Sequence, residues 1–462
     1  MILLAINWGS VGLKVAQLLL SLSILVVLHE FGHYITAKWF KCRVDKFYLF
    51  FDPYFSLFKK KVGDTEYGIG WLPLGGYVKI AGMVDESMDK DQMKLPPKPW
   101  EFRSKPAWQR LIIMLGGVTV NILLAFIIYA GILMKWGEDK IPNTSVTNGI
   151  WVTDSLMYKI GLRNGDKIVS VNGDSVKYFD DAAKQILFSG GGNITVERNG
   201  APANVVIRRD FIGELVEKKK SRSPLMVPRI PAIAGEFDKN DTSSAKSAGL
   251  QHWDRIVKVD SLPINFLDEA AAYFGTKKNG TAMLTVNRGG NELSIPVKIN
   301  EEGKINLPML SFKEMDSLKV LSLQHTHYGF FEAFPAGVRL AGQKLSEYIQ
   351  QFKLILSPST GAYKGVGGFK TMGSVFSGTQ WDWEQFWNIT AFFSIVLAFM
   401  NLLPIPALDG GHVLFTLIEM ITRRKPSEKF LEYAQIAGMV VLLALMLYAN
   451  GNDWFGWGKG RG

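Results

Sequence analysis

The sequence predicts a multi-pass α-helical membrane protein with four spans and two mainly-β domains outside the cytoplasm. Three observations predict this class. Four segments are apolar enough to cross a bilayer. A long polar segment between the second and third of them contains an internal repeat. The 462 residues are 47% hydrophobic, with a mean hydropathy of +0.09, too apolar for a purely soluble protein and too polar for a polytopic transporter.

Charge and cysteine content restrict the classes further. The formal net charge is +10, and in a membrane protein an excess of Lys and Arg first indicates topology, so we expect no nucleic-acid partner. Cys42 is the single cysteine of the sequence, which excludes an intrachain disulfide and a multi-cysteine metal site. No small-residue cleavage site precedes the first long apolar helix, so we expect no cleavable signal peptide.

The first transmembrane helix is predicted within residues 1–40, and it contains a His-Glu-x-x-His pattern. His29 and His33 are four residues apart, so on a helix they share one face and can bind one zinc ion. Glu30 lies beside them and can accept a proton from a metal-bound water. Ionisable side chains at hydrocarbon depth are costly unless an ion or a cavity compensates them. This depth favours a metal site over a solvated His-Glu pair.

Residues 41–110 are predicted to form a cytoplasmic or membrane-associated β-hairpin loop and a linker. The glycine-punctuated apolar run Gly68–Gly82 is typical of short strands. It is either a surface hairpin or a segment that re-enters the membrane, which is tolerable where the backbone lines a cavity. The charged, Pro-rich segment Asp85–Lys105 predicts a cytoplasmic linker.

Three further membrane segments are predicted. The second transmembrane helix occupies residues 111–136, an almost uninterrupted apolar run. The third transmembrane region, residues 385–421, is interrupted at Pro404 and Pro406. The fourth transmembrane helix, residues 430–450, is shorter.

Orientation follows from basic residues in the short connections, which belong on the cytoplasmic side. They are Lys38, Lys41, Arg43, Lys46, Arg103, Lys105, Arg110, Arg423, Arg424, Lys425 and Lys429. The uncharged residues 1–10 and the segment 137–385 are therefore expected outside the cytoplasm.

The outer segment contains an internal repeat. Residues Gly161–Gly173 align with Gly249–Asp260 at an offset of 88, and Ile194–Arg198 resembles Leu284–Arg288. Two tandem mainly-β domains are therefore predicted at residues 137–222 and 223–310, joined by the basic, Pro-rich linker 218–231. The Gly-Leu turn, Gly-Asp-x-Ile and Val-Asn-Gly pattern resembles PDZ domains. That resemblance implies a groove that takes a peptide or partner protein by strand addition, although both copies could also be spacers.

Residues 325–357 are predicted to form an amphipathic helix, because apolar residues recur at helical spacing between Phe330 and Leu356. It either lies in the membrane interface or docks on the β-domains.

A second ionisable group lies at the end of the third membrane region. If spans one and three run in the same direction, Asp409 and His29 lie towards the same, cytoplasmic, side of the bilayer and can meet. Two His and one carboxylate leave a fourth zinc position open for water, as in a catalytic rather than a structural site. His412, three residues further on, is not counted as a ligand.

The motifs together resemble bacterial site-2 proteases of the RseP type over nearly the whole chain. They are His-Glu-x-x-His at 29–33, the tandem PDZ-like domains, and Asn-x-x-Pro-x-Pro-x-Leu-Asp-Gly at 401–410, with Gly-Gly-x-x-x-Asn at 116–121 fitting loosely. The resemblance implies that His29, His33 and Asp409 bind Zn²⁺. It also implies that Glu30 is the catalytic base, which passes the proton to the leaving amine.

The resemblance further implies substrate contacts. Asn401 is expected to hold the substrate backbone or the developing oxyanion. A substrate helix must unwind before attack, and strand pairing with the hairpin at Gly75, Gly76 and Tyr77 would stabilise its extended form.

The expected function is therefore an intramembrane zinc endopeptidase that cleaves single-span membrane proteins in regulated intramembrane proteolysis. By resemblance, its substrates are anti-sigma factors after a first cleavage, or remnant signal peptides. Its expected place is the lipid bilayer of the bacterial inner membrane, with the PDZ-like domains in the periplasm. Two alternatives are a PDZ-based membrane scaffold with a vestigial metal site and a metal transporter. The intact Glu30 disfavours the first, and the four spans with one metal constellation disfavour the second.

Overall fold

The computed structural model describes residues 7–83, 96–218, 224–238 and 241–458. The α-helices of these residues are α1 (Trp8–Trp39), α2 (Ala107–Trp136), α3 (Ser155–Lys159), α4 (Phe179–Phe188), α5 (Phe211–Lys218), α6 (Ser244–Ser247), α7 (Leu267–Thr276), α8 (Phe312–Ser317), α9 (Phe330–Leu356), α10 (Phe369–Ser374), α11 (Trp383–Leu402), α12 (Asp409–Thr422) and α13 (Glu428–Phe455). Short 3-10 turns are Phe102–Ser104, Asn143–Ser145, Pro358–Thr360 and Ala362–Gly365.

The β-strands of the same residues are β1 (Val44–Val62), β2 (Thr65–Ile80), β3 (Glu138–Lys140), β4 (Ile150–Val152), β5 (Lys167–Val171), β6 (Asp174–Ser175), β7 (Gly192–Arg198), β8 (Ala201–Ile207), β9 (Met226–Pro228), β10 (Arg255–Val259), β11 (Leu262–Pro263), β12 (Thr281–Arg288), β13 (Asn291–Lys298) and β14 (Gln324–Thr326). Three predicted segments lie partly outside the described residues: the uncharged N-terminus, the linker from Asp85, and the basic linker between the repeats.

The chain divides into two compact units. The first comprises residues 1–137, 327–353 and 364–462, and the second comprises residues 138–326 and 354–363. Four helices of the first unit, within the described part of the chain, are long and apolar enough to cross a membrane: Trp8–Trp39, Ala107–Trp136, Trp383–Leu402 and Lys429–Phe455. The protein is therefore a membrane protein with four candidate spans.

Helices α1 and α2 approach each other closely because glycines meet at their contact. A Cβ atom built on Gly32 would lie 2.3 Å from the carbonyl oxygen of Gly116, and one on Gly116 would lie 2.5 Å from that of Gly32. Any side chain at either position would push the helices apart. Small residues at such contacts are what allow the backbones of membrane helices to approach closely. This contact sets the spacing on which the site described below depends.

Buried hydroxyl groups join α11 to the other two helices. The Thr390 hydroxyl donates to the Ser21 hydroxyl on α1 at 3.0 Å, and the Ser394 hydroxyl donates to the Asn121 carbonyl on α2 at 2.8 Å. These side chains are fully buried. Hydrogen bonds of this kind stabilise helix packing where apolar burial alone gives little driving force.

The hairpin β1–β2 folds back on itself. Residues 44–49 pair with 66–69 on one side and with 76–80 on the other, while residues 56–62 pair with 65–70. The four segments therefore lie in the order 56–62, 65–70, 44–51, 72–80. The sequence pattern predicted strand structure only in the glycine-punctuated part, because residues 44–62 lack regular alternation of apolar and polar side chains.

The second unit contains two four-stranded antiparallel sheets with the same strand order. One has the order β6-β5-β7-β8 and the other β11-β10-β12-β13. Each sheet has its own apolar core, to which the helix that follows the second strand, α4 or α7, contributes. Leu267 at the start of α7 packs in the core of the first domain. The equivalent central strands β5 and β10 begin 88 residues apart, which is the offset of the sequence repeat.

The first of these domains extends beyond its predicted boundary at residue 222. Strand β9 lies within the predicted linker, and it pairs with β4 of the first domain. Leu310, Met315 and Leu321, which follow the second domain in sequence, also pack in the core of the first. These pieces are too short to show a hydrophobic period, so the repeat offset alone could not reveal them.

Helix α9 packs on the spanning helices through its N-terminal half. A Cβ atom on Gly337 would lie 2.7 Å from the backbone nitrogen of Ala130 on α2, and Ala341 lies in an apolar cluster with Tyr129. Phe330 and Phe331 on the same helix are exposed. This half of α9 therefore docks on the spanning helices of its own unit.

Candidate metal centre

Three side chains from two distant parts of the chain converge on one point. The Nε2 atoms of His29 and His33 lie 3.1 and 3.2 Å from Oδ2 of Asp409, and 3.3 Å from each other. Both imidazoles are buried, and the Asp409 side chain is 17% exposed. The structure thus brings together the three residues that the sequence singled out as zinc ligands.

The spacing of these three atoms fits a tetrahedral metal ion. Zinc bonds His nitrogen and carboxylate oxygen at about 2.0–2.1 Å, which in a tetrahedron puts ligand atoms about 3.3 Å apart. The observed separations are 3.1, 3.2 and 3.3 Å. Three ligands of this type leave a fourth position for water or substrate. The residues present could therefore hold zinc in a catalytic geometry.

The hydrogen bond of His33 Nδ1 determines which ring nitrogen of His33 is available to bind a metal. Nδ1 of His33 lies 2.8 Å from the Ile113 carbonyl oxygen, and a carbonyl can only accept. The proton of the neutral ring is therefore on Nδ1, and Nε2 presents a lone pair to the carboxylate of Asp409. Two groups with lone pairs facing each other repel, and a cation between them removes that repulsion.

Asn121 of α2 can perform the same task for His29. Its amide nitrogen lies 3.1 Å from Nδ1 of His29, and its Oδ1 is buried with no hydrogen-bond partner. A half-turn of the side-chain amide exchanges the positions of its oxygen and nitrogen. With the amide turned over, Oδ1 accepts the Nδ1 proton of His29 and leaves Nε2 free for a metal. The sequence analysis placed Asn121 in the Gly-Gly-x-x-x-Asn motif but did not assign it a function.

Gly117 makes room for both imidazoles. A Cβ atom there would lie 2.4 Å from Nε2 of His33 and 2.6 Å from Cε1 of His29. The two rings are nearly perpendicular, with centroids 4.9 Å apart. Since Gly117 lies one residue from the α1 contact at Gly116, the same stretch of α2 sets both the helix spacing and the space for the rings.

A short loop between α11 and α12 positions Asp409 next to His29 and His33. Helix α11 ends at Leu402, and Asp409 is the first residue of α12. A Cβ on Gly410 would lie 2.1 Å from the Leu403 carbonyl oxygen, and one on Gly438 of α13 would lie 1.6 Å from that of Pro406. Glycine is therefore required on both sides of the loop, and the fourth spanning helix confines it.

An ion pair ties α12 to α2. The Arg110 guanidinium donates to the Glu419 carboxylate at 2.5 Å, and both side chains are largely buried. A paired, hydrogen-bonded charge is tolerable at such burial, whereas removing one partner would leave an uncompensated ion. The pair orients the helix that carries Asp409 against the helix that supports the histidines.

A cavity of about 670 Å³ opens onto the donor cluster. It is lined by His29, Glu30, His33, Lys46, Phe51, Asp52, Pro53, Leu72, Gly76, Tyr77, Val78, Lys79, Ile80, Met83, Met114, Ala407, Leu408, Asp409, His412, Gln435 and Met439. Glu30 and the strand segment at Gly76 are neighbours, since a Cβ on Gly76 would lie 3.7 Å from Cγ of Glu30. The carboxylate expected to act as base and the strand expected to bind substrate therefore share this cavity with the donor cluster.

The remaining predicted residues lie as follows. Nδ2 of Asn401 lies 3.2 Å from Nε2 of His29. Tyr77 lines the cavity, whereas Gly75, with φ of 153°, faces the Phe51 ring. His412 also lines the cavity and is outside the three-residue donor cluster.

Comparison with known proteins identifies relatives over nearly the full length. The model of Peptidase family M50 matches residues 17–445. A protein of Rickettsia conorii named as a zinc metalloprotease is 28% identical over 454 residues, covering 96% of this chain and 98% of that protein. The regulator of sigma-E protease RseP of Escherichia coli is 28% identical over 460 residues, covering 95% of this chain and 98% of the relative.

Proposed function

Because the chain belongs to peptidase family M50 and is a zinc metalloprotease, we propose that it is an intramembrane endopeptidase of the site-2 type. Its zinc ligands are His29, His33 and Asp409, and its substrates are single-span membrane proteins. The observation that carries this proposal is the convergence of the three donor atoms at a cavity that is also lined by Glu30 and by the edge strand segment 72–80 of the hairpin.

The chemistry follows from the positions of these groups. Zinc, when bound, supplies a Lewis acid and lowers the pKa of a coordinated water. Glu30 takes the proton of the attacking water and passes it to the leaving amine. The amide of Asn401 is a hydrogen-bond donor beside His29, suited to the substrate carbonyl oxygen as negative charge develops on it.

Substrate presentation rests on the inner edge of the hairpin. Residues 72–80 pair with β1 on one side, and within the described residues the other side has no strand partner. A peptide unwound from a helix must satisfy its backbone groups, and strand addition at Gly76 and Tyr77 does so beside Glu30. This supports cleavage of extended segments drawn from substrate helices, such as anti-sigma factors after a first cleavage or remnant signal peptides.

The two sheets of the second unit are proposed to be PDZ-like domains that bind a peptide or partner protein. Their common strand order and the 88-residue repeat support this assignment. With the basic connections on the cytoplasmic side, these domains lie in the periplasm and the protein in the inner membrane.

A cleavage assay on a tethered single-span reporter tests the proposal. Glu30→Gln should abolish cleavage and keep zinc, because glutamine preserves size but cannot accept the proton. Glu292→Gln, at an exposed position of β13, is the matched control and should cleave normally. Cleavage by Glu30→Gln near the level of the unchanged protein would contradict the role of Glu30.

Metal analysis tests the ligand set separately. His33→Ala and Asp409→Ala should each lose most of the bound zinc, while His327→Ala, which changes an exposed histidine, should keep one ion per chain. Full zinc occupancy in either ligand variant would overturn the assignment.

A further inference from the structure

We infer that the outer edge of the hairpin sheet, residues 54–62, is a binding surface for the headgroups of anionic phospholipids. This surface, called here the outer edge strand, is separate from the cavity and plays no part in the proposed chemistry. Its composition is the first indication: Tyr54, Phe55, Leu57 and Phe58 are followed directly by Lys59, Lys60 and Lys61.

Every large side chain of the outer edge strand is exposed. Phe55 and Phe58 are each 58% exposed, Leu57 is 66% exposed, and Tyr54 is fully exposed. Phe55 stacks on Trp71 with ring centroids 5.8 Å apart. An aromatic surface of this size on a soluble face would favour aggregation, whereas Tyr and Trp are enriched where a membrane meets water.

The three lysines are exposed and have no acidic partner among the described residues. Glu66 lies opposite Lys61 across the strand pair, but its carboxylate accepts the hydroxyl of Tyr48 at 2.7 Å. Asp64 is the acidic residue of the adjoining turn. The net positive charge of the strand therefore remains available to an anionic surface.

The strand runs in the direction that places lysines towards the membrane surface. Lys60 is level with Tyr67, whose hydroxyl lies 2.6 Å from that of Tyr34 on α1. Phe58 pairs with Ile69. Ile69 in turn pairs with residue 49, residue 49 pairs with residue 76, and residue 76 is a neighbour of Glu30, so Phe58 and Glu30 lie at the same level. Tyr34 lies one helical turn closer than Glu30 to the end of α1, so the lysine half is nearer that end.

The end of α1 has the features of a membrane interface. Trp39 is its last residue and is 76% exposed, and Trp108 in the first turn of α2 is 50% exposed. Aromatic side chains of this kind mark the headgroup level. Lysine stems can extend along the apolar surface and put their ammonium groups among phosphates at that level.

The backbone of the lysine half of the outer edge strand, residues 59–62, gives an independent reason for this location. Its outer N–H and C=O groups have no strand partner within the described residues. Such groups are tolerable in the hydrated headgroup region but not against hydrocarbon. Headgroup binding by the lysines would therefore fix the depth of the hairpin and, through it, the height of the substrate-binding edge beside Glu30.

Native mass spectrometry of the full-length protein in detergent, with phosphatidylglycerol and phosphatidylcholine in competition, tests the inference. Near an anionic surface each lysine is worth about fivefold in affinity. The triple variant K59Q/K60Q/K61Q should therefore lose its preference for phosphatidylglycerol by about tenfold or more. The charge-preserving variant K59R/K60R/K61R should retain it.

The matched control is K258Q/K278Q/K298Q, which removes three exposed lysines of the second unit and should leave the preference unchanged. An unchanged preference in the Lys59–Lys61 glutamine variant, or an equal loss in the control, would overturn the inference. Complete displacement of phosphatidylglycerol by inorganic phosphate would also overturn it, by showing a free-anion site. Since no substrate or cleavage is involved, the result does not depend on the proposed function.

Discussion

Asn121 shows how one uncharged side chain can determine which ring nitrogen of His29, a proposed zinc ligand, is available to a metal. It lies 3.1 Å from Nδ1 of His29, on the side away from Asp409. A ligand imidazole bonds metal through one nitrogen and normally donates a proton from the other, and the acceptor of that proton raises the basicity of the ligand. Ile113 supplies the acceptor for His33 through its backbone, so Asn121 is the side chain of this pair that mutation can test.

We predict that Asn121→Leu weakens zinc binding about 10- to 100-fold, the usual effect of removing such a supporting group. The Asn121→Asp variant retains an acceptor and should bind zinc far more tightly than Asn121→Leu. Chelator competition on purified protein measures both affinities. Asn388→Leu is the control, because that amide bonds the Glu384 carbonyl of its own helix. Equal zinc affinity in Asn121→Leu and the unchanged protein would refute this role.

The sequence revealed those site residues that are ionisable and lie in apolar segments, where such side chains are rare. Two histidines and a glutamate within an apolar helix, and an aspartate beside two prolines, stand out because ionisable groups in membranes are costly. Asn121 and Gly117 carry no charge, and their roles arise from contacts with residues about 90 positions away. Only the three-dimensional arrangement could assign those roles.

At the scale of elements, each of the two repeats contains the same ion pair between an arginine and a buried aspartate. Asp166 accepts two hydrogen bonds from Arg198, both 2.7 Å, and Arg198 also donates to the Gly161 carbonyl at 2.8 Å. In the second repeat Arg288 donates to Asp254 and to the Gly249 carbonyl in the same way. The repeated letters therefore correspond to a repeated contact between the first turn and a central strand.

We predict that Asp166→Ala lowers the free energy of opening of the first β-domain by about 1–3 kcal/mol, the usual cost of removing a buried acceptor, because the Arg163 amide and the Arg198 guanidinium both lose their partner. Asp166 is fully buried, so water cannot replace the carboxylate. Hydrogen exchange of the β5 and β7 amides in the full-length protein measures this energy. Asp174→Ala, at an exposed turn of the same sheet, should change it by less than about 0.5 kcal/mol. Unaltered exchange in Asp166→Ala would contradict the prediction.

Whether the sequence could predict a helix or strand depended mainly on the length of that element. The four spanning helices were evident from hydropathy, because a membrane span must be long and apolar. Strands of three residues, such as β4 and β9, are held by tertiary pairing and leave no local pattern. The partner strand of the glycine-rich hairpin, β1, was not evident for a different reason: its residues lack a regular alternation of apolar and polar side chains.

At the scale of the whole molecule, residues 138–326 of the second unit are inserted between two parts of the first unit, and this segment begins and ends with paired strands. Glu138 at the start of β3 pairs with Thr326 at the end of β14. The inserted segment 138–326 therefore begins and ends at neighbouring positions, which is where insertions are best tolerated. It can be removed by joining Gly137 to His327 without stretching the chain.

The last prediction concerns this insertion. We propose that the PDZ-like domains restrict access by size and take no part in bond cleavage. All three zinc-ligand candidates and Glu30 lie in the other unit, so a deletion of residues 138–326 should retain zinc. It should cleave short-tailed reporters and begin to cleave reporters whose outer domain has not been trimmed. The boundary matters: a deletion of residues 147–300 would leave Leu310 and Met315 without the core in which they pack. Parallel assays of trimmed and untrimmed reporters, with zinc content as the folding control, measure the effect. A zinc-loaded deletion variant that cleaves neither reporter would mean that these domains present the substrate actively, and the size filter would be wrong.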